Sequence, residues 1–94
     1  MEVLIEQIKV DLYLGFENFE YEGTWNGWDW EVSYEEKNNF IGFYFRNVEE
    51  PNVICFFNST LTHVLEMDFY DFLKWVDSNV HYNSQMEVDG NEQA

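Results

Sequence analysis

Ninety-four residues suffice for one small domain with a single core and are too few for two. An apolar fraction of 46% and an aromatic fraction of 20% exclude disorder over most of the chain. Nineteen Asp and Glu against four Lys and Arg leave a formal net charge of -15, a field that repels nucleic acid and anionic membranes and favours basic partners.

The first segment, EVLIEQIKVDLYL, satisfies two periods at once. Ile8, Val10, Leu12 and Leu14 alternate as in a strand, and Leu4, Ile5, Ile8 and Leu12 line a helix face. The alternation favours a strand from about Ile8 to Leu14. GFENFEYEG, bounded by Gly15 and Gly23, reads as an acidic loop or irregular edge. In WDWEVSYE the parity is clear: Trp28, Trp30, Val32 and Tyr34 fall on one face, and Asp29, Glu31, Ser33 and Glu35 on the other. EEKNN turns the chain into a second strand, Phe40 to Arg46, with Ile41, Phe43 and Phe45 on one side and Phe40, Gly42 and Tyr44 on the other. The two runs predict an antiparallel hairpin. VICFF, almost wholly apolar, predicts a central strand, and STLTHVLEM a further short one. Asp68 then suits a helix N-cap, followed by Phe69, Phe72, Leu73, Val76 and Val80 at helical spacing.

These elements predict an α+β domain over residues 1–82, an antiparallel sheet of about four or five strands with a C-terminal helix packed on one face. Residues 83–94 predict a mobile acidic tail. Cys55 has no second cysteine to pair with, Glu2 and Glu6 give the wrong charge for a signal peptide, and no apolar run approaches a membrane span. A cytoplasmic protein is expected.

Catalytic constellations are weak. Cys55 and His63 as nucleophile and base would require a reactive thiol in the most apolar run of the chain, where an inert one is the rule. His63 and His81 lack the spacing of a metal motif, and no acidic cluster follows the calcium-loop pattern. A carboxylate pair for glycoside hydrolysis needs a cleft that so small a domain hardly provides. No enzyme activity, metal or cofactor is expected.

The distribution of the acids is more informative. Glu17, Glu20 and Glu22 form one cluster, Asp29, Glu31, Glu35 and Glu36 a second, Glu49 and Glu50 a third, and Glu66, Asp68 and Asp71 a fourth. Carboxylates on one face of a strand stand about 6.6–6.8 Å apart, similar to successive phosphates along a nucleic-acid strand. Trp25, outside the alternating register of the strand that follows, is expected as an exposed aromatic anchor among them. In size and composition the chain resembles the small phage-encoded DNA mimics that inhibit restriction enzymes, CRISPR effectors or uracil glycosylase. The resemblance implies a non-enzymatic inhibitor whose acidic clusters occupy the phosphate channel of a basic nucleic-acid-binding protein. An immunity protein capping a basic nuclease toxin is the alternative, and a highly acidic structural domain without a steering role is a third reading.

Overall fold

A computed structural model describes residues 3–86. The chain order is α1 (Leu4–Tyr13), β1 (Asn18–Trp25), β2 (Trp28–Glu35), a 3-10 turn (Glu36–Asn38), β3 (Phe40–Asn47), β4 (Val53–Thr60), α2 (Leu61–Glu66), α3 (Phe69–Asn83) and β5 (Gln85–Met86). The strands form one antiparallel sheet in the order β1-β2-β3-β4-β5. The protein is therefore α+β, with its C-terminal helix on the sheet. Among the described residues no helix is long and apolar enough to cross a membrane. The expected tail from residue 83 lies outside the described residues from position 87; before that, Asn83 closes α3 and Gln85–Met86 pair with Val53–Ile54.

The first segment is a helix, not the expected strand. A strand from Ile8 to Leu14 would bury Val10 and Leu14, which are instead 50% and 62% exposed, while Leu4, Ile5 and Ile8 enter the core. Gly15, at φ +86, ends the helix: its N–H donates to Leu12 O at 3.0 Å and that of Phe16 to Asp11 O at 3.1 Å. A glycine adopts this left-handed cap without the steric cost a Cβ would bring. The Tyr21 hydroxyl donates to Asp11 Oδ2, tying α1 to β1. Burial first, and then the hydrogen bond and charge of Asp11, hold that phenol well above its usual range.

GFENFEYEG is likewise more regular than a loop. It leads into an edge strand that pairs with β2 along its whole length, from Asn18↔Glu35 to Trp25↔Trp28. The two-residue connection Asn26-Gly27 has φ of 51° and 85°, the paired left-handed conformation whose twist suits a tight hairpin. The β2–β3 hairpin forms as expected, from Trp28↔Asn47 to Glu35↔Phe40. STLTHVLEM divides at Thr60, the last residue of β4, whose hydroxyl accepts from the His63 N–H at 3.2 Å and caps α2. Asp68 caps α3 as expected, its carboxylate accepting from the Asp71 N–H at 2.7 Å.

One face of the sheet carries the core. Phe19, Trp30, Val32, Tyr34, Ile41, Phe43, Phe45, Cys55 and Phe57 are buried there with Leu4, Ile5 and Ile8 of α1, Leu61 and Val64 of α2, and Phe72, Val76 and Val80 of α3. Phe57 stacks on Phe43 and Phe45 at 5.1 and 5.7 Å, and Trp75 meets Phe43 and Phe57 edge-on. β4 is not the uniformly buried strand that VICFF suggests: Cys55 and Phe57 point into the core while Phe56 and Asn58 are exposed.

Burial pushes the Cys55 thiol up to about 11. The folded protein therefore favours the neutral thiol, whereas an unfolded thiol ionises from about pH 8.5. This contribution to stability is complete below about pH 8.5 and is lost as pH rises through the folded value. Denaturant midpoints of the wild type should fall more steeply between pH 8 and pH 10.5 than those of Cys55→Val. Parallel pH profiles would show that the thiol is not held neutral by the fold.

Candidate binding face

The face of the sheet opposite the helices is uncovered by any described element, and strand parity and register decide what it presents. β1 contributes Asn18, Glu20, Glu22 and Thr24, and β2 contributes Asp29, Glu31, Ser33 and Glu35, all exposed. Pairing sets Glu22 opposite Glu31, Glu20 opposite Ser33, Thr24 opposite Asp29 and Asn18 opposite Glu35. The two acidic clusters that the sequence separates by a turn thus become one ladder, two strands wide and about 23 Å long. Like charges directly opposite each other destabilise a strand pair, so the Glu22–Glu31 juxtaposition opposes folding.

Glu17 and Glu36 extend the ladder at one end. The Glu36 N–H donates to Glu17 O at 2.9 Å, and a shallow furrow there is lined by Glu17, Asn18, Glu35, Glu36 and Lys37. At the other end the β1–β2 and β3–β4 turns are joined by the Val48 N–H, which donates to Gly27 O at 3.0 Å. Glu49 and Glu50 lie in this second turn, their N–H groups donating to Asn47 Oδ1 at 3.0 and 2.9 Å. Arg46, opposite Asp29, donates to Pro51 O and to the Tyr44 hydroxyl, the latter at 2.6 Å.

The remaining predicted residues are placed elsewhere. Glu66 ends α2, and Asp68 and Asp71 belong to the start of α3, in the helical layer. Asp68 is engaged as a cap, which gives it a structural role. Trp25 is not the exposed ring expected. It shares the inward parity of Phe19 and Tyr21, is half-buried, and meets Phe45 edge-on at 6.2 Å.

Sequence reasoning missed a second component of the open face. Phe40 and Tyr44 of β3 and Phe56 of β4 lie on the same side as the ladder. Their signal was available for β3, where these positions oppose the parity of Ile41, Phe43 and Phe45. Among the described residues no three His, Cys, Asp or Glu side chains are grouped so as to hold a metal ion. The carboxylates of the ladder are spread along two strands, an arrangement that suits an extended basic surface better than a single point charge. Comparisons with protein-family models, with curated proteins and with solved structures found no match.

Proposed function

We propose that the protein is a non-catalytic inhibitor that lays its acidic sheet face on the phosphate-binding surface of a basic nucleic-acid-handling protein, such as a CRISPR effector or a restriction enzyme. The observation that carries this reading is the ladder itself. Five carboxylates, those of Glu20, Glu22, Asp29, Glu31 and Glu35, share the open face of one two-stranded ribbon, with Glu22 directly opposite Glu31, and Glu17 and Glu36 border the furrow at its end. An arrangement that costs folding free energy and faces water is explained by a partner that neutralises it. The spacing along each strand, about 6.6–6.8 Å, lets Lys and Arg side chains arranged for a phosphate backbone meet carboxylates instead.

Capture from a host lysate on the immobilised protein at low salt tests this reading. Retained proteins should be basic nucleic-acid-binding ones, and added duplex DNA should release them, because both ligands contend for the same cations. Retention that duplex DNA leaves untouched, or no basic protein retained at low salt, would contradict it.

A further inference from the structure

Beside the acidic ladder the open face presents aromatic rings with no described element over them. Phe40 and Phe56 are 52% and 56% exposed, and Tyr44 is half-buried. Single exposed apolar residues are ordinary, but these are gathered by register: Tyr44 is opposite Phe56, and Phe40 lies four residues along β3 on the same face, beyond Gly42. The Phe56 ring leans toward Gly42, where a Cβ would stand 3.8 Å from its Cε2 and Cζ atoms.

The rings share furrows with carboxylates. One furrow has Glu20, Glu22 and Glu31 together with Tyr44 and Phe56 in its lining. A second places Glu35 with Phe40 and Phe56, and Asn38 Nδ2 steadies the Glu35 carboxylate from 3.1 Å. A ring with a carboxylate at its side complements one cation in particular. Guanidinium is planar and weakly hydrated, so it can stack on the ring while its edge N–H groups pair with the carboxylate. A lysine ammonium is compact and strongly hydrated, and gives up more hydration to do either. Arg46 already pairs with a ring on this face: its guanidinium carbon is 5.7 Å from the Tyr44 ring centroid and its Nη2 donates to the Tyr44 hydroxyl at 2.6 Å.

We infer that the uncovered sheet face reads arginine: arginine side chains of the partner enter these two furrows, stack on Phe40 or Phe56, and pair with the carboxylates alongside. The inference deepens the proposed function and rests on its basic partner, dividing the work between acids that steer and rings that discriminate. A second copy of the chain fits the face poorly, since two acidic ladders would meet.

Binding of nona-arginine and of nona-lysine to the full chain at equal salt tests the inference before any partner is known. Nona-arginine should bind about fivefold to thirtyfold more tightly. In the F40S/F56S variant, checked by circular dichroism to be folded, that preference should shrink toward parity while nona-lysine affinity is unchanged. Equal affinities in the wild type would overturn the inference and leave a basic partner recognised by charge alone. Failure of both peptides to bind at low salt would overturn the inference and the proposed function together. Arginine preference without capture of any basic protein would uphold the inference and sink the inhibitor reading. Dimerisation in sedimentation that F40S/F56S abolishes would assign the face to a second copy and also overturn the inference.

Discussion

Trp30→Ala is expected to lower stability by about 3–5 kcal/mol, the largest effect of any single substitution considered. Trp30 is 7% exposed, on the inward face of β2. Its indole lies over Gly23, its cross-strand partner: a Cβ at that glycine would be 2.8 Å from Cζ2. Trp30 and Gly23 therefore form a size-matched pair, and Gly23→Ala should also destabilise by forcing the ring aside. The indole N–H is buried and accepted by none of the described groups. Trp30→Phe should accordingly cost much less than alanine, because it keeps most of the apolar contact and removes an unpaired donor. Asp29→Ala, one position away on the open face, should change stability by no more than about 0.5 kcal/mol. Calorimetry that found Trp30→Ala and Asp29→Ala equally mild would contradict the assignment of the two faces.

The second large effect is on association. Reversing Asp29, Glu31, Glu35 and Glu36 to lysine should slow binding to a captured basic partner by one or more orders of magnitude, since steered encounter depends on the summed field and can contribute factors of about 10 to 1,000. The same substitutions should leave the domain folded and more stable at low ionic strength, where the Debye length is about 30 Å and carboxylate repulsion is least screened. Glu31→Lys in particular sets an opposite charge across from Glu22. Stability and association should thus move in opposite directions, read by thermal melting and stopped-flow mixing. An immunity protein would instead lose most of its affinity through one or two residues and tolerate the other reversals. An acidic structural domain would gain stability with no binding to lose.

Strand parity made the β2–β3 hairpin legible, because a period of two separates Trp30, Val32 and Tyr34 from Asp29, Glu31 and Glu35 without knowledge of the rest of the fold. The first segment was harder, since its apolar residues satisfy both periods; the deciding signal was Gly15, which marks a helix end rather than a strand boundary. Asn26-Gly27 was the comparable signal for β1. Once β1 is a strand, Trp25 falls on its inward side, a placement that the register of β2 alone does not give. The acidic residues were legible as clusters, but their union required the pairing that sets Glu22 against Glu31. Phe56 was hidden for another reason. An all-apolar run such as VICFF is compatible with burial on both faces, and only the placement of all three helices on one side of the sheet exposes it.

The most direct test of the account is a titration in which the protein is added to a captured basic partner already bound to labelled duplex DNA. Occupation of the phosphate channel predicts that DNA is released in proportion to the protein added, that excess duplex restores its binding, and that the variant reversed at Asp29, Glu31, Glu35 and Glu36 releases none at the same concentrations. A ternary complex that retains its DNA at saturating protein would contradict the account.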